Sequence, residues 1–117
     1  MKNSEKRQNQ RESCSVDSSF KNLDGSAHPA TASFSETTIQ DLSEGGVRFR
    51  SNYFVPIHNK LLFKIHIPNR KPIEALVQPA WIRELPSVHQ FDIGGKFISL
   101  SEEDKEIIRQ FTNSFLE

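Results

Sequence analysis

The sequence predicts an all-β domain: a small six-stranded antiparallel barrel or sheet, capped by one amphipathic C-terminal helix. Three observations carry that reading. Short runs alternate apolar and polar residues with a period of two, as strands with one buried face do. Turn residues separate those runs at short intervals. The period then changes at the C-terminus to that of a helix. At 117 residues the chain has room for one small domain. Its hydrophobic fraction, 35%, is below that of a typical globular domain, so the core is modest and some length belongs to no core.

Taken in order, residues 1–12 are polar and read as a flexible arm. Weak strands follow near 14–20 and 31–39, around turn chemistry at Asn22-Leu23-Asp24-Gly25-Ser26 and His28-Pro29. Val47-Arg48-Phe49-Arg50 alternates apolar and charged residues after Gly45-Gly46, as a half-buried strand leaving a turn would. Residues 60–67 give the best strand signal, with Leu61, Phe63, Ile65 and Ile67 on one face. Pro68-Asn69-Arg70-Lys71-Pro72 turns the chain into a longer strand over 73–83. Pro79 cannot donate to a ladder and is expected at an edge or a bulge. A turn at Leu85-Pro86-Ser87 leads to a last strand over 88–99, broken or bulged at Gly94-Gly95. Ser101-Glu102-Glu103-Asp104 has the form of a helix start, with carboxylates in the positive first turn. Ile107, Ile108, Phe111 and Phe115 then mark one apolar stripe on a helix over 102–116, which caps the barrel. Nine Phe against one Trp and one Tyr suggest aromatics used for packing, and Trp81 is expected in the core.

Bulk properties exclude several functions. Lys+Arg 15 against Asp+Glu 15 leave no uniformly basic surface for nucleic acid, so anion binding must be local. No apolar run is long enough to span a bilayer, and no secretory pattern follows Met1, so a cytoplasmic location is expected. One cysteine, Cys14, can form no internal disulfide and has no metal-ligand spacing. The four histidines show no paired spacing. No nucleophile elbow, phosphate loop or dinucleotide fingerprint is present, and nothing in the residues supports catalysis, a metal or a cofactor.

Two short features carry chemistry. Arg7-Gln8-Asn9-Gln10-Arg11 places two guanidinium groups four positions apart, where they can converge on one polyanion, meeting phosphate oxygens or guanine O6 and N7 bidentately. Asp41-Leu42-Ser43-Glu44-Gly45-Gly46 offers an acceptor suited to the N1–H and N2–H groups of guanine, a small hydroxyl, and glycines that allow close backbone approach. Alone, the first reads more simply as a solvated basic tail and the second as an Asx/Ser turn.

Together, Arg-x-x-x-Arg about thirty residues ahead of Asp-x-Ser-x-x-Gly resembles the PilZ domain family. The likeness extends over Leu42–Phe49, Ala80-Trp81-Ile82, Gly95-Lys96-Phe97-Ile98 and Leu100–Asp104, nearly the whole chain. The resemblance implies a PilZ-like barrel of split-barrel type over 13–117 that binds the bacterial second messenger cyclic di-GMP. Arg7 and Arg11 would then grip phosphate and guanine, Asp41 a guanine edge, and Ser43 the base or phosphate region, while Gly46 leaves room. Lys6, at a position often basic in the family, is carried as a secondary contact to a second, stacked nucleotide. The implied function is that of a receptor or adaptor, monomeric or weakly dimeric, whose arm closes over the ligand and signals to an unidentified downstream protein. A PilZ-like interaction module acting without nucleotide is the alternative. Nucleic-acid binding through the arm, or a small enzyme, ranks below both.

Overall fold

Three phenylalanines from three strands set the core. Phe20, Phe49 and Phe63 are buried with ring centroids 4.8–5.5 Å apart, and each such ring removed from water contributes about 2–3 kcal/mol. The structure, a computed structural model, describes residues 15–24 and 34–113. Strands β1 (Val16–Asn22), β2 (Ser35–Leu42), β3 (Gly46–Ser51), β4 (Leu61–Ile65), β5 (Ile73–Leu85) and β6 (Gln90–Ser99) form a closed antiparallel barrel in the order β1-β2-β3-β6-β5-β4. Helix α1 (Glu102–Asn113) follows.

The polar first strand pairs fully on both sides, with five residues against β2 and five against β4. Its alternation explains this: Val16, Ser18 and Phe20 face inward, and the buried Ser18 hydroxyl donates to the Val16 carbonyl oxygen at 3.4 Å. Closing a sheet needs only one apolar face, and three inward positions of a short strand supply it. The first two strands run to Asn22 and Leu42, beyond the predicted 14–20 and 31–39. Cys14 and residues 31–33 lie outside the described residues. The last strand starts later than predicted. Pro86–Val88 form one 3-10 turn, and His89 takes a left-handed φ of 55° before Gln90 enters the sheet.

Three irregularities shape the barrel wall. On β2, Ile39 pairs with Phe49 but Asp41 with Arg48, so Gln40 is an extra residue. On β5, Pro79 pairs with Gly95 but Trp81 with Gly94, so Ala80 is extra. On β6, Ile98 is extra between the partners of Leu76 and Val77. Pro79 thus sits at a bulge, as its missing donor requires. The bulge predicted at Gly94-Gly95 is corrected: β6 runs unbroken there against β3, and the extra residue lies opposite, on β5.

The Ser101 hydroxyl accepts the Asp104 amide at 3.0 Å and starts α1. Ile108 is fully buried in the barrel core, with Ile107 and Phe111 packed against it, so the apolar stripe does cap the barrel. The Arg70 guanidinium donates to Gln110 Oε1 at 2.9 Å, and Arg109 reaches Glu44, so α1 ties the β4–β5 turn to the β2–β3 turn. Phe115 and the end of the predicted helix, 114–116, lie outside the described residues.

Candidate functional site

The bulges decide what the outer wall presents. Period two from the inward Ile39 would carry Asp41 inside and Leu42 outside. The extra residue Gln40 shifts the phase, burying Leu42 and turning Asp41 outward beside Arg48. On β5 the inward set Ile73, Ala75, Val77 and Pro79 would next include residue 81. Ala80 again shifts the phase, and Trp81 emerges on the outer face, 43% exposed. The core position expected for Trp81 is therefore wrong, because a strand with a bulge does not keep one parity throughout.

Between these two outward residues lies an open groove of about 380 Å³. Its lining includes Asp41, Ser43, Gly46, Arg48, Trp81 and Lys96, with Gly94 and Gly95 forming part of the wall. Asp41, Ser43 and Gly46, adjacent in the sequence motif, are thus brought together with groups from β3, β5 and β6. Grooves of about 390 and 420 Å³ also lie along β1–β3, and neither includes a motif residue.

The turn between β2 and β3 is tightly held. The Ser43 amide donates to the Gly46 carbonyl oxygen at 3.0 Å, and the Gly45 amide donates to Ser43 Oγ at 3.1 Å. With one lone pair so engaged, the Ser43 hydroxyl keeps its proton for an acceptor in the groove. The Phe97 amide donates to the Gly45 carbonyl oxygen at 3.0 Å, pinning the turn to β6. No described glycine has positive φ. Gly46 is needed for space instead: a Cβ there would stand 2.2 Å from the Gly95 carbonyl oxygen and 3.1 Å from Lys96 Cα. At Gly94 a Cβ would meet the Trp81 indole nitrogen at 2.2 Å, so the bare Cα of Gly94 is the seat of that ring.

Charge runs across the same surface. Arg48 Nε donates to Asp41 Oδ2 at 2.8 Å, and Arg48 Nη1 donates to Asp92 Oδ1 and Oδ2 at 3.3 and 3.1 Å. Arg83 Nη2 donates to Asp92 Oδ2 at 2.8 Å. The bond to Asp41, together with the charges of Asp41 and Asp92, holds the Arg48 guanidinium above its ordinary pKa, against partial burial acting the other way. Asp92 pairs in register with Arg50, whose buried Nε has no hydrogen-bond partner among the described residues. At the turn itself, Glu44 Oε1 and Oε2 accept from Arg109 Nη2 and Nε of α1 at 2.7 and 3.1 Å. That fork lowers the Glu44 pKa from the usual carboxylate range and raises that of Arg109.

Arg7, Arg11 and Lys6 lie outside the described residues. A family model described as the PilZ domain matches residues 5–114, a span that contains all three. The chain belongs to the PilZ domain family. Its fold is similar to that of the Bacillus subtilis inhibitor of motility (MotI/DgrA), with a TM-score of 0.69 at 13% identity over 86% of this chain. The match spans 46% of that longer protein. No curated protein matches the sequence.

Sequence reasoning missed Arg48, Trp81 and Lys96 as parts of this PilZ groove, and the buried Asp92 behind Arg48. A signal existed for Trp81, and for the outward turn that brings Asp41 beside Arg48. Ile39 and Leu42, and likewise Pro79 and Ile82, are inward residues three apart, a spacing that a regular strand cannot bury on one face. Asp92 gave none, because an acidic residue on an outer strand face reads as solvated until its cationic neighbours are placed over it.

Proposed function

We propose that this PilZ chain is a receptor for cyclic di-GMP, with the nucleotide lying in the groove between Asp41 and Trp81. One observation carries the reading: the three residues of Asp-x-Ser-x-x-Gly converge on a groove that also holds a half-exposed indole and the ammonium of Lys96. A guanine base needs an acceptor for its N1–H and N2–H groups, a donor for O6 or N7, and an apolar surface to lie on. Asp41, the Ser43 hydroxyl and Trp81 offer those three chemistries. Arg7 and Arg11 supply the guanidinium forks for the phosphates, and Lys6 a further cation. Loaded with nucleotide, the barrel and the arm present an altered surface to a downstream protein.

Trp81 is the chain's single tryptophan, so its emission reports groove occupancy directly. Titrating the full chain with cyclic di-GMP should give a saturable emission change and matching calorimetric heat at micromolar ligand. Arg7→Ala or Arg11→Ala should weaken binding at least tenfold with an unchanged melting temperature, since a charge-assisted contact contributes about 1.5–3 kcal/mol. Absence of heat and of an emission change from the intact chain would end the receptor reading. Recovery of the same protein partner with and without nucleotide would favour the nucleotide-independent module instead.

A further inference from the structure

We propose that Arg48 is a positioning residue that presents Asp41 to the guanine edge, with the buried Asp92 as its fixed backing. The inference rests on the cyclic di-GMP reading and deepens it. Asp41, Arg48, Asp92 and Arg83 form a row of alternating charge over β2, β3, β6 and β5, each linked to the next by a hydrogen bond of 3.3 Å or less. The ends of the row are open to solvent, but the Asp92 side chain is only 1% exposed. Arg48 is therefore held from beneath by a carboxylate that is itself locked by Arg83. Arg48 lines the groove, and its Nε donates to Asp41 Oδ2.

Asp41 then has one oxygen engaged and one, Oδ1, without a hydrogen bond among the described residues. That leaves a single oriented acceptor where a base edge would lie. Guanine presents its N1–H and N2–H donors there, whereas at the same two positions adenine presents the bare nitrogen N1 and a C2–H. An acceptor fixed in place discriminates between the two, and a freely turning one must be ordered at the moment of binding. The pair between Asp41 and Arg48 is half exposed, so it contributes little to stability. Its consequence is orientation, and selectivity is where that consequence shows.

A mutant cycle on the full chain tests this, with cyclic di-GMP and cyclic di-AMP as probes. Arg48→Met should weaken cyclic di-GMP binding about three- to tenfold, the cost of ordering one side chain, and leave cyclic di-AMP binding unchanged. In an Asp41→Asn background the same change should have no further effect. Asp92→Asn, out of the ligand's reach, should move selectivity in the same direction. Arg48→Lys keeps the charge but replaces a planar fork, whose Nε and Nη1 address Asp41 and Asp92 in fixed directions, by one rotating ammonium, so it should lose selectivity as Met does while the fold stays intact. Additive effects of Arg48→Met and Asp41→Asn would overturn the proposal by showing that Arg48 acts on the ligand itself. Full rescue by Lys, or a lowered melting temperature with selectivity intact, would overturn it as well. Failure of the unmodified chain to bind cyclic di-GMP would remove the receptor reading, and this one with it.

Discussion

Gly46 is the motif residue whose replacement the structure prices most clearly. A Cβ at this position would lie 2.2 Å from the Gly95 carbonyl oxygen, a backbone atom that no rotamer change can move aside. Ordinary contact requires β3 and β6 to separate by roughly 1 Å at this end of the ladder. That movement strains the Phe97 amide to Gly45 carbonyl bond, now 3.0 Å, and the pairing of Gly46 with Lys96. Overpacking of this kind costs about 1–3 kcal/mol, and a weakened net hydrogen bond about 0.5–1.5 kcal/mol. Against this, alanine restricts the unfolded chain and returns about 0.4–1 kcal/mol. Gly46→Ala should therefore destabilise by about 2–3 kcal/mol, lowering the melting temperature by roughly 10 °C for a domain of this size. Gly45→Ala is the control: its Cβ would meet only Ser43 Oγ, at 3.7 Å, so its melt should match the wild type within about 0.5 kcal/mol. Thermal melts followed by circular dichroism decide the matter. A Gly46→Ala chain that melts with the wild type and loses only ligand binding would refute the steric argument and assign the glycine to the ligand alone.

Two further outcomes follow from the groove and its turn. Gly94→Ala should push the Trp81 indole off its seat, shifting its emission to longer wavelength and weakening cyclic di-GMP binding about tenfold at a stability cost of about 1–2 kcal/mol; unchanged emission would show that the ring does not rest there. The Glu44–Arg109 fork should make stability depend on acid. The folded Glu44 pKa is depressed, so its contribution is complete above the ordinary carboxylate range and is lost as pH falls through the folded value. The melting-temperature gap between wild type and Arg109→Gln should accordingly be widest near neutrality and narrow as pH falls below the ordinary carboxylate range, whereas a gap independent of pH would exclude the fork as its source.

Much of the barrel was legible because period two and turn residues are local signals. The strand 60–67 was read almost to its ends, observed as Leu61–Ile65, because Leu61, Phe63 and Ile65 leave no other face to bury. Helix α1 was equally plain from Ser101 and the Ile108 stripe. The motif also placed Asp41, Ser43 and Gly46 on one turn. What could not be read was phase. Trp81 is expected inward because aromatics pack, and although Pro79 announces a bulge, the extra residue that shifts the phase, Ala80, has no chemistry of its own. Asp92 was passed over for a related reason. Its burial depends on Arg48 and Arg83, which reach it from neighbouring strands, and such register pairs exist only once the sheet is assembled.

The same row of charges bears on how a chain with equal numbers of acidic and basic residues could select one small dianion. Arg48 and Arg83 come together in the folded wall, where Asp41 and Asp92 match them one for one. Lys96 has no ion-pair partner among the described residues and is left as the groove's net cation. One exposed ammonium attracts a phosphate weakly in water and still less in salt. In the proposed reading, the barrel therefore supplies base selection through an oriented carboxylate and an indole, and Arg7 and Arg11 supply most of the hold on the phosphates. The two functions should separate on mutation. Changes at Asp41 and Arg48 should alter which base is accepted, and changes at Arg7 and Arg11 should weaken guanine and adenine dinucleotides alike.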